Sequence, residues 1–594
     1  MSDPRAEYTR RLEGRREEVA RRVRMDRHIS NARLGVFALL VAGAFATFGA
    51  ELLAARWLLP PALLFVALLV VHDRVIRGRE GAERAVAFYE LGVARLEHRF
   101  AGQGETGEAF REPEHPCADD LDLFGTGSIF ELLCEARTRS GQATLARWLL
   151  EPAGAACVRE RQAAVAELRE RLDLREDLAL LGSQLRAELH PERVRAWGEA
   201  PPIPFAPSHR VVAPVLVALT LGGLALWIFT AAGPVPFLLG LAVQGGYAAL
   251  LRPRVLPILR AADGPMRELD LLARLLARIE AERFTSPRLV ALRQELETRG
   301  EPPSARIARL HRLLELLDGR RNQLFAPLAL VLLWATQLGL AIERWRGQCG
   351  PALGRWIEAA GEFEALCSLA GLAFERPQWH FPELEEGAPR FAAEGLGHPL
   401  LAPERCVPND VRLGGASPHV LVVSGSNMSG KSTLLRSVGV AAALAQAGAP
   451  VCARRLALSP LRIGASIRIQ DSLQEGASHF YAEITRIRRV MELAEAGPTL
   501  FLLDEIFHGT NSHDRGIGAE AVIEGLLERG ALGLVTTHDL ALAKVAERLA
   551  PRADNVHFQD HVEEGRMIFD YRMRPGVVTR SNALALMRAV GLPV

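Results

Sequence analysis

Hydrophobic positions fall into different rhythms along this chain, and each rhythm predicts a different kind of element. Between residues 80 and 200 the spacing is helical, with Val158, Gln162, Val165 and Leu168 on one face, and the segment reads as all-helical. The same spacing returns over residues 256–320, where Leu269, Leu272, Leu276 and Ile279 form a stripe suited to packing on another helix, with a turn at Ser286-Pro287. From about residue 390 short apolar runs (420–423, 500–503 and 533–536) alternate with helical segments. That alternation is the signature of a parallel α/β sheet.

Two stretches carry no charge at all, residues 211–232 and 233–251, with Pro234 and Pro236 marking a turn between them. Each is close to the ~20 residues a helix needs to cross a bilayer, so the pair predicts a transmembrane hairpin. An earlier pair, residues 34–50 and 57–71, is shorter and contains Pro60-Pro61, and tilt or a kinked helix would let it span. Buried helices of a soluble core are the alternative for both pairs. A further apolar run, 324–342, contains Pro327 and Gln337 and reads as buried or interfacial, which leaves four spans.

Charge sharpens the topology rather than the chemistry. The chain of 594 residues holds 71 basic and 70 acidic side chains, so no global field recruits nucleic acid. Arg5, Arg10, Arg11, Arg15, Arg16, Arg21, Arg22, Arg24, Arg27 and Arg33 precede the first apolar pair, whose connection holds only Glu51 and Arg56. This is a positive-inside pattern with both ends cytoplasmic. Residues 1–33 read as a basic juxtamembrane helix with a thin apolar seam, either solvated or resting on anionic lipid or DNA. Its length and strong charge are unlike a cleavable secretory signal. The seven cysteines are scattered without a C-x-x-C pair, which suggests neither a disulfide framework nor a zinc site.

The candidate chemistry lies in the last third. The apolar run at 420–423 leads into Gly425-Ser426-Asn427-Met428-Ser429-Gly430-Lys431-Ser432-Thr433, and a helix is expected from Thr433 to about Ala447. Strand, glycine-rich loop and helix in that order make a P-loop, in which backbone N–H groups cradle phosphates at a helix N-terminus. Lys431, one of only two lysines, would contact the β and γ phosphates of ATP, and Ser432 would ligate Mg²⁺. The run at 500–503 ends in Asp504-Glu505, an acid for the metal shell and an acid for the attacking water. His538 closes the run at 533–536, one strand beyond the acidic pair in sequence, where it would sense the γ-phosphate. Gly476, Ser478 and Asp514 lie in small-residue, hydroxyl-rich loops of the kind that reach a phosphate across a dimer.

These residues resemble the MutS family of DNA mismatch-repair ATPases. Gly425-Ser-Asn-Met-Ser-Gly-Lys-Ser-Thr433 is similar to that family's G-P-N-M-G-G-K-S-T, and Asp504-Glu-Ile-Phe-His-Gly-Thr-Asn-Ser-His-Asp514 to its D-E-I-G-R-G-T-S-T-Y-D. Thr537-His538 resembles its T-H, Gly397-His398-Pro399 the entry to its ATPase domain, and Gly576, Ser581 and Gly591-Leu-Pro593 its closing helical region. Upstream, Leu123 to Ser128, Thr138, Gly141, Trp148-Leu149 and Pro152 resemble the start of its helical core, and Glu364 to Ala370 that core's last helix. The resemblance implies an α + α/β fold: a helical core carrying transmembrane hairpins, then an ABC-type P-loop ATPase domain with a mainly parallel sheet.

The expected divisions are a basic helix (1–33), a first hairpin (34–72), a first stretch of helical core (80–210), a second hairpin (211–251), a second stretch of helical core (252–385) and the ATPase domain (390–594). The resemblance further implies ATP and Mg²⁺ as cofactors and a homodimer closing across its ATP sites, with Gly476, Ser478 and Asp514 acting in trans. Departures accompany it. No counterpart of the mismatch-reading domain and its Phe-x-Glu wedge is present, the second hairpin interrupts the core where a DNA clamp would be inserted, and no C-terminal helix-turn-helix follows. Cys406 stands where the family has an aromatic that stacks on adenine. Two functions stay open: a membrane-anchored MutS-like ATPase acting on DNA, or a membrane mechanical ATPase acting on a protein or lipid client. A transporter subunit fits less well, for want of a translocation path. Either places a multi-pass protein in the inner, cytoplasmic membrane with its ATPase domain in the cytoplasm.

Overall fold

The structure is a computed structural model that describes residues 3–182, 191–262, 266–297, 300–318, 326–426, 428–468, 479–507, 512–538, 540–563 and 566–577. The chain forms two compact units. Met1–Cys134, Trp148–Arg159 and Leu369–Val594 make one, and Glu135–Arg147 with Glu160–Ser368 make the other.

The first unit opens on a long antiparallel hairpin. Asp3 caps the helix Pro4–Ala44 by accepting the N–H of Arg5 at 3.1 Å, and Pro4 occupies the first turn, where a missing N–H is harmless. This helix is about 60 Å long, twice the ~30 Å hydrocarbon core, so the basic stretch and the first apolar run are one element rather than two. Pro60 and Pro61 likewise sit in the first turn of the returning helix, Leu59–Leu96, and start it instead of kinking it.

The arginines of the basic stretch are laced to carboxylates: Arg11 to Glu7 and Arg22 to Glu18 along the helix, and Arg79 of the returning helix to Asp26, each at 2.6 Å. Tyr8, on the thin seam, is fully buried against Tyr89 with ring centroids 5.7 Å apart, and a Cβ at Gly92 would strike its ring at 2.6 Å. The expected solvated juxtamembrane helix is thus half of a packed hairpin.

Residues 97–128 are not helical as the spacing suggested but run mostly through turns. They belong with the later sheet, since Asp120 accepts the backbone N–H of Ile467 (2.9 Å) and Arg468 (2.6 Å) and pairs with Arg486 at 3.1 Å. A first division of the helical core at 80–210 therefore does not match the compact units.

The second unit is helical. His209–Phe229 and Val235–Ala262 form its apolar hairpin, turning at Pro234. Their backbones approach at Gly223, where a Cβ would come within 2.9 Å of the Pro236 carbonyl carbon, and at Gly240, where it would meet Thr220 Oγ1 at 2.7 Å. Small residues permit such contact between apolar helices. The stripe of Leu269, Leu272, Leu276 and Ile279 is buried. The run at 324–342 breaks at Leu333, a buried residue with φ of 48°, between Ala326–Val331 and Trp334–Glu375. Within this unit Glu364 anchors Thr138 and accepts the N–H of Arg137 at 2.9 Å, which forbids a side chain at Gly141.

Among the described residues the remainder of the first unit carries ten strands: β1 (Glu383–Leu384), β2 (Arg390–Leu396), β3 (Asn409–Gly414), β4 (Val420–Ser424), β5 (Arg455–Leu458), β6 (Arg462–Ser466), β7 (Thr499–Leu503), β8 (Leu532–Thr537), β9 (Ala553–Glu563) and β10 (Arg566–Pro575). A small sheet has the order β1-β5-β2-β3, and the larger one β10-β9-β4-β8-β7-β6. All pairs of the larger sheet are parallel except β9 with β10. Its central strands are apolar at nearly every position because both faces are covered. The helices His479–Ala496, Ser512–Glu528 and Leu540–Arg548 pack on one face through Ile487, Val490, Ala519, Ile523, Leu542 and Val545. Lys431–Ala447 packs nearby with its Gly439 pressed on Leu121 and Leu502.

Candidate functional site

In a parallel sheet the strand C-termini all reach one edge, and ligands bind there. Ser424, Leu503 and Thr537 end β4, β7 and β8 at that edge. In sequence His538 lies beyond the acidic pair, but in space β8 lies between β4 and β7. The strand that ends just before His538 therefore lies between the strands that lead into the glycine-rich loop and into Asp504-Glu505.

The P-loop leaves β4 through Gly425 (φ 155°), passes Met428 in the left-handed region (φ 71°), and reaches Gly430 (φ 104°), after which the helix begins at Lys431, two residues earlier than expected. Gly430 needs that freedom, and a side chain there would also meet Tyr571 Cδ1 at 3.2 Å. Lys431 is 4% exposed, and its ammonium donates to the carbonyls of Gly425 (3.0 Å) and Ser426 (2.9 Å).

Glu505 links the site's charges, with Oε1 3.6 Å from Lys431 Nζ and 3.6 Å from His538 Nδ1. Its own backbone is left-handed (φ 47°). The buried hydroxyl of Thr536 holds both acids: it accepts the N–H of Glu505 at 3.0 Å and donates to Asp504 Oδ1. Asp504 N–H is tied in turn to Ser466 O at 2.9 Å.

These groups border a cavity of about 1250 Å³. Met428, Gly430, Lys431, Ser432, Thr433, Asp504 and Glu505 line it beside the glycine-rich loop and the end of β7. His398, Cys406, Asn409 and Tyr571 line it as well. Burial holds His398 well below the ordinary imidazole range, at about 4, with the nearby Arg436 acting in the same direction, so it enters the wall as a neutral ring. Asn409 fastens the β9–β10 hairpin to the wall, donating to Tyr571 O at 3.0 Å and accepting the Met573 N–H at 2.7 Å.

Of the residues singled out in the sequence, Gly425, Ser426, Met428, Ser429, Gly430, Lys431, Ser432, Thr433, Asp504, Glu505 and His538 gather at this edge. Asp514 sits in the first turn of Ser512–Glu528 and does not line the cavity. Asn427, Gly476, Ser478, Ser581 and residues 591–593 lie outside the described residues. Two residues escaped the sequence reading. Thr536 is hidden as one more β-branched strand residue, and Tyr571, one of five tyrosines, comes from a hairpin with no local signature.

Residues 421–594 match the family model described as MutS domain V. The chain is 34% identical over 270 residues to the DNA mismatch repair protein MSH6 of Arabidopsis thaliana, covering 42% of this chain and 20% of that protein. It is 32% identical over 253 residues to the DNA mismatch repair protein MutS of Desulfosudis oleivorans, covering 41% and 28%. With the Endonuclease MutS2 of Thermus thermophilus it shares 35% over 252 residues, covering 40% and 30%. The chain thus spans under a third of the length of the curated relatives it matches.

Proposed function

We propose that this chain is a MutS-family protein, and that it is a membrane-anchored ATPase whose dimer closes on ATP and opens on hydrolysis; its likeness to MutS domain V and to MutS, MSH6 and MutS2 relatives supports the family. The observation that carries this reading is the convergence of Lys431, Ser432, Asp504 and Glu505 on one cavity at the C-terminal edge of a mainly parallel sheet. The loop also fits a polyphosphate. The hydroxyls of Ser426 and Ser429 are buried and without a hydrogen-bond partner among the described residues, so donors are to hand where phosphate oxygens would lie.

In this mechanism Lys431 turns from its own loop's carbonyls to the β and γ phosphates. Ser432 and Asp504 would hold Mg²⁺, whose charge neutralises the phosphates when bound. Glu505 accepts the proton of the attacking water, and His538, 3.6 Å away, fixes the carboxylate's position. Gly476, Ser478 and Asp514 would complete the partner's site in trans. Tyr571 offers the adenine a ring that Cys406 lacks.

Membrane anchoring is supported by four helices long and apolar enough to span: Pro4–Gly49, Ala55–Leu96, His209–Phe229 and Val235–Ala262. Large apolar side chains on them face outward, among them Leu34, Phe45, Trp57 and Leu63 in the first hairpin and Leu219, Phe229 and Leu239 in the second. Such bands need a covering of lipid or protein. Together with the Arg-rich start, they support a multi-pass protein of the cytoplasmic membrane with its ATP site inside.

The names of the relatives point to DNA as the client. Purified in detergent, the protein should hydrolyse ATP, Lys431→Ala should lose ATP binding, and Glu505→Gln should bind ATP without turning it over. Unchanged turnover in Glu505→Gln defeats the role given to that carboxylate. Duplex DNA should stimulate the wild type in a salt-sensitive way, and no stimulation would leave a membrane-borne protein or lipid as the client.

A further inference from the structure

Cys406 lines the nucleotide cavity, and Cys452 lies behind it. Their sulfurs straddle one residue: a Cβ built on Gly397 would stand 2.6 Å from Cys406 Sγ and 3.0 Å from Cys452 Sγ. Only glycine leaves room for both. The surrounding backbone holds the arrangement, since Gly397 N–H donates to the Cys452 carbonyl at 2.8 Å and Cys406 N–H donates to Ala402 O at 3.1 Å.

We infer that Cys406 and Cys452 are a peroxide-reactive dithiol built into the wall of the nucleotide cavity, which closes to a disulfide and weakens nucleotide binding. The roles of the two sulfurs differ. Cys452, its neighbour across Gly397, draws the Cys406 thiol down to about 6, against the opposing effect of burial, while Cys406 and burial push Cys452 up. Cys406 is thus the nucleophile and Cys452 the resolving thiol. By contrast, burial pushes the thiols of Cys117 and Cys367 up and leaves them inert.

The oxidant is hydrogen peroxide or an alkyl hydroperoxide. Cys406 thiolate attacks one peroxide oxygen, the O–O bond breaks, and with hydrogen peroxide the leaving hydroxide takes a proton to become water, leaving a sulfenic acid. The Cys452 sulfur then attacks the Cys406 sulfur. The S–O bond breaks, and hydroxide departs with the Cys452 proton as a second water. Two electrons pass from the thiol pair to the peroxide. A disulfide bond of ~2.05 Å draws the two sulfurs together from either side of Gly397, pulling Cys406 and its neighbours Arg405 and Val407 away from the cavity they line.

The effect on nucleotide rests on the ATP-site reading above, whereas the dithiol does not. The test is to expose the detergent-solubilised protein to hydrogen peroxide, map linked peptides by mass spectrometry, and measure binding of radiolabelled ATP before and after dithiothreitol. A Cys406–Cys452 crosslink is expected, with about a tenfold loss of ATP affinity that dithiothreitol reverses. Cys452→Ser should bind ATP normally when reduced and form no crosslink. Absence of the linked peptide in the wild type overturns the dithiol, and a crosslink with undiminished affinity overturns its control of the site. Failure of the reduced wild type to bind ATP would refute the nucleotide reading instead, while the peptide map still decides the dithiol.

Discussion

Thr536→Val tests whether one buried hydroxyl assembles the two acids. Valine matches threonine in shape but neither donates to Asp504 nor accepts the N–H of Glu505, now held at 3.0 Å. A hydrogen bond to a charged group contributes ~1.5–3 kcal/mol, and an orphaned buried N–H costs ~1–3 kcal/mol. The two overlap, so a destabilisation of about 2–4 kcal/mol is expected. The catalytic consequence is larger than the loss of stability, because Glu505 lies in a left-handed backbone that this bond helps to hold. A displacement of ~1 Å at a reacting group lowers turnover by about 100-fold. Lys431 and the P-loop do not depend on Thr536, so KM for ATP should stay within about threefold and the loss should fall on kcat. Thr536→Ser keeps the hydroxyl and gives up one methyl, about 1 kcal/mol, and should recover most of the turnover. Steady-state ATPase kinetics beside a thermal melt of each variant provide the readout. If Thr536→Val melts normally and turns over within about twofold of wild type, Thr536 does not position the acids.

Two further changes examine the walls of the site. Tyr571→Ala should raise KM for ATP about tenfold through the loss of ~1–1.5 kcal/mol of ring contact, and Tyr571→Phe should not, so an equal effect of both in ATPase titrations would assign Tyr571 to its hydroxyl rather than its ring. Asp120→Ala strands the N–H groups of Ile467 and Arg468 and the Arg486 guanidinium, and should cost about 3 kcal/mol in a denaturant titration. Because burial outweighs Arg486 and pushes the Asp120 carboxyl up, the neutral acceptor of Asp120→Asn should cost less than Asp120→Ala, and the reverse order would contradict this account.

The strand–loop–helix of the P-loop and the acids at a strand end were legible because their chemistry is local: a few consecutive residues fix the backbone and point the groups. The apolar hairpins were legible for the same reason. What stayed hidden depends on partners far along the chain. Residues 97–134 carry no pattern that announces their union with the sheet, which rests on Asp120 meeting Ile467, Arg468 and Arg486. The fusion of the basic stretch with the first apolar run follows from arginines paired at 2.6 Å and from prolines at helix starts, and a hydropathy profile reports neither. Strand order was equally invisible. The parallel pairing of β8 with both β4 and β7 is what sets His538 beside Glu505, and no spacing in the sequence encodes it.

One buried cluster joins the N-terminal hairpin to the rest of its unit. Glu375, at the end of Trp334–Glu375, receives Arg95 through Nε (2.9 Å) and Nη2, and Tyr8 through its hydroxyl (3.2 Å). Arg376 adds a bond to the Arg95 carbonyl at 2.7 Å. Glu375 and Arg95 are 3% and 2% exposed, so Glu375→Ala takes the carboxylate away from a buried guanidinium, a loss of about 3–5 kcal/mol. Replacing both partners, as in Glu375→Leu with Arg95→Met, removes the buried charge and should restore much of that stability. Both helices of the hairpin meet at this cluster, so the single variant should expose the segment around residues 90–100 to limited proteolysis at a temperature where wild type resists. If Glu375→Ala and the double variant are cleaved and melt alike, the cluster does not hold the hairpin.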